Sequence, residues 1–138
     1  MARGQQTNLN PKMIIKSAKK LTVYQKSYAL AMKIFECSKA FPKEEVFALT
    51  SQIRRSSRSV PMNLREAWAK RRYEAHFISK LTDCDGESNE TDTSLDFALD
   101  CGYISQAKHT EWTALNTEVG RMLGKMIQQP TPFLISNN

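Results

Sequence analysis

The spacing of apolar residues limits the folds open to this chain more than any other feature of the sequence. In one segment, seven mostly small or apolar side chains recur every three or four positions over three heptads: Phe77, Leu81, Cys84, Ser88, Thr91, Leu95 and Ala98. This spacing places them on one face of an α-helix. The polar members Ser88 and Thr91 predict either a close helix approach or buried hydrogen bonds.

Three further segments have a helical character. A second stripe consists of Val46, Leu49, Ile53, Ser56, Val60, Asn63 and Ala67, and a last one of Trp112, Leu115, Val119, Met122 and Met126. The first helix is predicted to run from Thr22, which with Gln25 has the spacing of a capping box, to about Ala40. Because each helix has one stripe to bury, the sequence predicts an all-α, antiparallel up-and-down four-helix bundle.

Proline, glycine and acidic residues predict where these helices start and stop. Pro42, with Glu44 and Glu45 after it, is typical of the start of the second helix. Pro61 removes a hydrogen bond inside that helix and predicts a kink or a break, with Ser59 as a possible new cap. Gly102 predicts the end of the third helix. The fourth helix is expected to begin after Ser105 and to end before Pro130.

The predicted domain organisation is simple. Residues 1–20 carry five positive charges and no negative charge, and they are predicted to form a flexible basic arm. Residues 21–129 form the bundle, and residues 130–138 a loose tail. With three cysteines and no apolar run of about 20 residues, we expect a reduced, cytoplasmic protein that does not enter a membrane.

Charge is distributed unequally between the two halves of the sequence. Residues 1–80 hold 17 Lys and Arg against 5 Asp and Glu, a net charge of +12, whereas residues 81–138 hold 3 against 9, a net charge of −6. One folded unit with a basic and an acidic face is suited to binding phosphates. It is equally suited to head-to-tail contact between copies of the same protein.

The stretch "RRSSRSVPMNLREAWAKRR" at residues 54–72 contains seven basic residues and one acid. On a helix, Arg54, Arg58, Arg65 and Arg72 would form a stripe about 27 Å long. Arg55, Lys70 and Arg71 flank this stripe. Arginine matches the geometry of phosphate oxygens, and nearby serines can add hydroxyl contacts, so these seven residues are the predicted nucleic-acid site. The alternative is that the arginines are merely solvated or pair with the acids of the third helix.

Four other residues in this stretch have predicted structural roles. Asn63 is expected to satisfy backbone groups left free by Pro61, and Glu66 to contact an arginine of this or another subunit. Leu64 and Trp68 lie beside the main stripe. They are predicted either to contact another subunit or to widen the buried face, and Trp68 either to stack on a base or to pack.

No pattern of catalysis or cofactor binding is present in the sequence. The glycine-rich phosphate-binding and nucleophile motifs are absent, and Glu66 alone forms no reaction centre. "DCDGESNETD" resembles a calcium loop only at its first alternate positions, and His76 and His109 lie at no zinc-binding spacing. We therefore expect a protein that is not an enzyme and that holds neither cofactor nor metal.

Several of these motifs resemble one known family. "LTVYQKSYALAMKIF", "FPKEEVFALTSQIRRSSRSVPMNLREAW" and "ALDCGYI" are similar to the four-helix-bundle 23S rRNA intervening-sequence proteins, also labelled S23 ribosomal proteins, over residues 20–127. The resemblance implies an up-and-down bundle, a homopentamer and a basic surface for nucleic acid. Related proteins are accessory subunits of reverse transcriptases in diversity-generating retroelements.

The leading hypothesis is therefore a homo-oligomeric bundle that holds RNA or an RNA–DNA hybrid, beside a reverse transcriptase. One alternative is a protein-interaction scaffold in which the basic stripe contacts the acidic third helix of a neighbouring subunit. Another is a ribosome-associated intervening-sequence protein.

Overall fold

The computed structural model describes residues 16–135 and contains four long α-helices: α1 (Thr22–Ser38), α2 (Leu49–Ala69), α3 (Glu74–Asp100) and α4 (Gln106–Gln128). Consecutive helices pack side by side, and α4 also contacts α1. The all-α up-and-down bundle predicted from the sequence is confirmed. None of the helices in this described part is long and apolar enough to cross a membrane.

Two apolar clusters form the core, and a polar layer lies between them along each helix. One cluster includes Leu64, Phe77 and Leu123, and the other includes Ile53 and Leu95. Between them, small and polar side chains are buried: Ser27, Ser56, Ser57, Ser88, Thr91 and Asn116. The core is therefore specified by polar contacts at its centre as well as by apolar burial.

Hydrogen bonds in the polar layer connect three helices. The Ser88 hydroxyl donates to Asn116 Oδ1 at 3.0 Å, and the Asn116 amide donates to the Ser88 carbonyl at 2.8 Å. The Thr91 hydroxyl lies 2.9 Å from Ser56 Oγ on α2. The predicted buried hydrogen bonds at Ser88 and Thr91 are thus present. These hydrogen bonds fix the positions of α2, α3 and α4 along the bundle axis relative to one another.

The ends of α3 and α4 follow the predicted signals. Gly102 has a φ of 78°, and the Tyr103 N–H donates to the Ala98 carbonyl at 2.8 Å. This is a Schellman motif, which requires the left-handed conformation that glycine adopts without strain. Ser105 precedes α4, and its side chain accepts from the Lys108 N–H at 3.1 Å.

The starts of α1 and α2 differ from the predictions. Thr22 is the first residue of α1 and makes no cap, and the Gln25 amide donates instead to the Lys19 carbonyl at 3.1 Å. At Pro42 a 3₁₀ turn (Lys43–Glu45) forms first, and α2 begins at Leu49. Glu45 nevertheless acts at the α2 N-terminus, because its carboxylate accepts from the Leu49 N–H at 3.2 Å.

Pro61 does not break α2, which continues to Ala69. Ser59 is not a cap, since its hydroxyl donates to the Arg55 carbonyl at 2.8 Å. Pro61 is buried, so packing offsets the cost of about 3 kcal/mol that a proline imposes on a helix interior.

The two ends of the described chain pack on the bundle. A 3₁₀ turn (Ala18–Lys20) buries Ala18, although it was predicted to belong to the basic arm. The rest of that arm, residues 1–15, lies outside the described residues. Beyond Pro130, Phe133 packs near Trp68, and the Ile135 N–H donates to the Arg71 carbonyl at 3.2 Å. The tail as far as Ile135 is therefore attached rather than loose.

Candidate nucleic-acid interface

Helix α2 carries the candidate arginines, and its two flanks lie against different helices. Arg54, Arg58 and Arg65 follow one another at spacings of four and seven, which keeps them on one side of the helix. We call this side, which lies next to α1, the α1-facing flank. Arg55 lies about 100° further around the helix, toward α3, and contacts that helix.

On the α1-facing flank, two guanidinium groups lie over one aromatic ring. The Arg54 and Arg58 guanidinium carbons are 4.9 Å and 5.2 Å from the centroid of the Phe35 ring on α1. The Lys39 ammonium is also 4.9 Å from this centroid. Arg54 Nε additionally donates to the Ser38 hydroxyl at 2.7 Å. Cation–π contact and this hydrogen bond hold three positive charges close together.

None of the three arginines of the α1-facing flank forms an ion pair within residues 16–135. Arg58 and Arg65 are exposed, and Arg54 is half-buried. Their charge is therefore not neutralised by any carboxylate of residues 16–135.

Arg55 has the opposite environment. Its Nη1 donates to both Glu87 carboxylate oxygens at 3.3 Å, and its Nη2 contacts Glu90. Both acids belong to α3. The alternative reading, in which the arginines pair with the acidic third helix, is thus correct for Arg55 within the same chain.

A shallow groove runs along the N-terminal half of α2 between Val46 and Met62. Its volume is about 540 Å³. Its polar lining consists of three arginines and three hydroxyl-bearing residues: Arg54, Arg55, Arg58, Thr50, Ser51 and Ser59. We call it the basic groove. Guanidinium and hydroxyl groups are the donors that hold phosphate oxygens without reading base sequence.

The three basic residues at the end of the predicted stripe do not continue the helical face. Since α2 ends at Ala69, Lys70, Arg71 and Arg72 follow the helix rather than extend it. Arg71 lies 3.9 Å from the Trp68 ring centroid, its Nε donates to the Trp68 carbonyl at 2.7 Å, and burial lowers its pKa. The helical stripe therefore runs from Arg54 to Arg65 only.

Within residues 16–135, Asn63 and Glu66 both contact Lys80 of α3 rather than the partners predicted within this chain. A contact between Glu66 and an arginine of another subunit stays a prediction. Asn63 Oδ1 accepts from the Lys80 ammonium at 3.3 Å rather than satisfying backbone near Pro61. Glu66 lies 2.6 Å from the same ammonium, not beside an arginine. The hydrogen bond from Lys80 holds the pKa of the Glu66 carboxyl below its ordinary value. Both residues thus join α2 to α3.

Leu64 and Trp68 widen the buried face of α2. Their exposed fractions are 1% and 7%, so in this chain they leave no surface for another subunit. The Trp68 ring packs edge-on to Phe133 at 6.4 Å. Of the two predicted roles of Trp68, packing is the one that the structure has, and stacking on an external base is ruled out by its burial.

The acidic segment "DCDGESNETD" lies inside α3, so it is a helix and not a calcium loop. Within residues 16–135 no three His, Cys, Asp or Glu side chains are grouped so that they could hold a metal ion. His109 Nε2 is 2.8 Å from Asp96 Oδ1, and His76 lies against Tyr73. Each histidine thus has a partner within the bundle.

Sequence reasoning missed two parts of this surface. One is Phe35, whose ring organises the cations. The other is an apolar groove between α1 and α2, lined by Tyr24 and Tyr28 and reached past Arg58 and Arg65. The sequence signals of α1 predict its start and its end but not which of its aromatic residues face outward.

The geometry defines a class of protein: a small helical bundle with an arginine-rich outer helix. The model of the 23S rRNA-intervening sequence protein family matches residues 19–125. The chain therefore belongs to this family.

A solved structure agrees with this assignment. It is the crystal structure of a protein of unknown function of the S23 ribosomal protein family from Bacteroides thetaiotaomicron. The two chains are 30% identical, the TM-score is 0.70, and the match covers 78% of this chain and 96% of the other. No curated protein matches the chain significantly.

Proposed function

We propose that this protein is a non-enzymatic, homo-oligomeric bundle that binds RNA or an RNA–DNA hybrid through phosphate contacts. Its host process would be a diversity-generating retroelement, in which it would assist a reverse transcriptase; this part rests on the family resemblance. Arginine remains protonated at neutral pH and offers no base, so the surface is suited to holding a polyanion rather than to catalysis.

One observation carries the proposal. Arg54 and Arg58 are held over Phe35 at 4.9 Å and 5.2 Å without an ion pair in the described chain. An arginine that is already ordered loses less side-chain entropy when it binds a phosphate. The neighbouring hydroxyls of Ser51 and Ser59 in the basic groove supply further donors.

Assembly into an oligomer would repeat this surface. The turn between α1 and α2 carries a large hydrophobic residue, Phe47, that no part of the described chain covers. Phe47 is 97% exposed. Such residues favour contact with a partner. The resemblance implies a pentamer, in which several weak phosphate sites would add through multivalency.

The test compares two triple charge reversals. Arg54→Glu/Arg58→Glu/Arg65→Glu alters the α1-facing flank, and Lys108→Glu/Arg121→Glu/Lys125→Glu alters three exposed cations of α4 by the same net charge. We expect the first variant to lose about 100-fold or more in affinity for a labelled RNA, and its salt dependence to flatten.

The α4 variant is expected to lose much less, since only long-range charge changes. Light scattering must show an unchanged particle mass for the first variant. Equal losses in the two variants would mean that binding depends on net charge and not on this surface.

A second candidate function is a protein-interaction scaffold. It is favoured by acids on α3 that form no ion pair within the described residues: Asp85, Asp92 and Asp100. In that case the α1-facing flank would contact α3 of a neighbouring subunit. The same arginine variant would then dissociate the oligomer, and light scattering would detect smaller particles. A ribosome-associated role would instead appear as cosedimentation with ribosomes.

A further inference from the structure

Next to the α1-facing flank, an apolar groove of about 520 Å³ lies between α1 and α2. Tyr24 and Tyr28 line one wall, and Pro61 and Met62 line the other. We call it the tyrosine groove. Although its lining is apolar, it is open to solvent: the exposed fractions of Tyr28 and Met62 are 52% and 67%.

The two tyrosines present flat surfaces. Their ring centroids are 6.0 Å apart, and their planes are inclined by 28°, which is a stacked arrangement. Tyr24 is the half-buried member of the pair and Tyr28 the exposed one. Tyr28 therefore offers a supported aromatic face on which a further planar ring can stack.

The rim of the tyrosine groove is positively charged. Arg58 and Arg65 line it seven residues apart, which on a helix is about 10 Å along the axis. Glu66 also lines it, but its carboxylate is paired with Lys80 at 2.6 Å. A ligand therefore meets an aromatic face and two guanidinium groups that form no ion pair in the part of the chain that the structure describes.

We propose that the tyrosine groove binds a nucleobase of single-stranded nucleic acid, which stacks on Tyr28 while adjacent phosphates contact Arg58 and Arg65. This deepens the proposed function and rests on it. A paired base inside a duplex cannot enter a groove between two helices, whereas an unpaired base can be turned outward. Arg58 lines both this groove and the basic groove, so one strand can follow both.

A nucleobase suits this groove better than a second copy of the chain. A neighbouring subunit would have to bring carboxylates to both arginines and a side chain to the tyrosine face at once. A nucleotide carries the planar ring and the negative charge in one unit, and stacking on aromatic residues is how sequence-independent single-strand sites work.

The experiment compares Tyr28→Leu with Tyr28→Phe, which keeps the aromatic face. The probes are labelled single-stranded oligouridine and a blunt RNA–DNA hybrid of equal length. We expect Tyr28→Leu to lose about tenfold in affinity for the single strand and little for the hybrid. Tyr28→Phe should bind both like the unaltered protein. Because Tyr28 is half-exposed, neither change should unfold the bundle, which circular dichroism would check.

Met62→Glu, at the mouth of the groove, is a second variant that should weaken single-strand binding by repulsion.

Three outcomes would overturn the inference. If Tyr28→Leu and Met62→Glu bind the single strand normally while the triple arginine variant does not, the nucleobase site is wrong and the proposed function stands. If the arginine variant also binds normally, the proposed function fails and the inference fails with it. If Tyr28→Leu lowers the particle mass, the groove is a subunit interface.

Discussion

Arg54 and Arg55 are neighbours in the sequence, yet they lie on two flanks of α2 with opposite properties. Arg54 lies over Phe35 on α1 and forms no ion pair in the described chain, whereas Arg55 contacts Glu87 and Glu90 on α3. The difference comes from the helices on either side. The α1 segment contains a single acid, Glu36, which pairs with Lys39, whereas α3 contains eight acids.

The comparison shows that a run of basic residues is not one surface. On the side of α2 that faces α3, polar and charged side chains contact partners in the same chain, as in the Thr91–Ser56 hydrogen bond and the Lys80–Glu66 ion pair. On the α1-facing flank, Arg54 and Arg58 are held over Phe35 but form no ion pair in the described chain. The contacts between helices thus lie mainly on one side of α2, and the proposed binding surface lies on the other. The following changes test this separation.

The largest expected difference is in the reactivity of the cysteines. Cys84 lies between α2 and α3, fully buried, and its thiol donates to the Val60 carbonyl at 3.6 Å. Burial raises its pKa to about 12, so at pH 8 only about one thiol in ten thousand is ionised. In single-cysteine variants, we expect alkylation of Cys84 to be at least about 1000-fold slower than that of the exposed Cys101. Similar rates, measured by mass spectrometry, would mean that the α2–α3 contact opens readily.

A smaller but still large effect is expected from a serine in the same contact. Ser56 is fully buried where α2 meets α3. Replacing it by leucine forces extra volume into that contact and removes the hydroxyl partner of Thr91, so we expect the free energy of unfolding to fall by about 3 kcal/mol. Ser59→Leu, one turn further along at a half-buried position that lines the basic groove, should change it by much less, about 0.5 kcal/mol. Urea denaturation measures the free energy of unfolding of both variants. Equal effects would mean that the α2–α3 contact places no special demand on the side chain at position 56.

Much of the fold could be predicted because its signals are local. The stripe of α3 and the ends at Gly102 and Ser105 depend only on helix periodicity and backbone conformation. The errors at Thr22 and Pro61 have a different origin. At both positions tertiary packing outweighed a local preference: Leu21 is buried before α1, and Pro61 is buried within α2.

The candidate site could be predicted only in part. The sequence locates the arginines, and the i, i+4, i+11 positions of Arg54, Arg58 and Arg65 give their common side. The sequence does not say which helix lies beside each flank of α2. It therefore predicts neither the ion pair between Arg55 and Glu87 nor the position of Arg54 over the Phe35 ring. The residues in these two contacts are 32 and 19 positions apart in the sequence.

Releasing Arg55 should make the two flanks more alike. In Glu87→Gln/Glu90→Gln the guanidinium of Arg55 loses its ion pairs and becomes free to contact phosphate at the basic groove. We expect RNA affinity to rise about tenfold. The slope of the logarithm of the binding constant against the logarithm of the salt concentration should become steeper by about one. The unfolding free energy should change by only about 0–1 kcal/mol, since Arg55 and Glu90 are exposed and Glu87 is half-buried at the surface.

The matched control for this change is Asp85→Asn/Asp92→Asn. It removes the same charge from α3 but touches no arginine in the described chain. If the control raises affinity equally, the gain comes from net charge alone. Arg55 would then not be a latent phosphate ligand.

The smallest effect concerns the ring that organises the α1-facing flank. Phe35→Leu keeps an apolar side chain but removes the π face under Arg54, Arg58 and Lys39. An exposed cation–π contact contributes about 0.5–1 kcal/mol, so the freed arginines should bind RNA about threefold more weakly.

Phe97→Leu, at an exposed phenylalanine on α3, serves as the control and should leave affinity unchanged. Because the arginines themselves remain, the salt dependence should stay the same in Phe35→Leu while the affinity falls. A flatter salt dependence would instead mean that a phosphate contact was lost, and that the ring places the cations rather than merely restraining them.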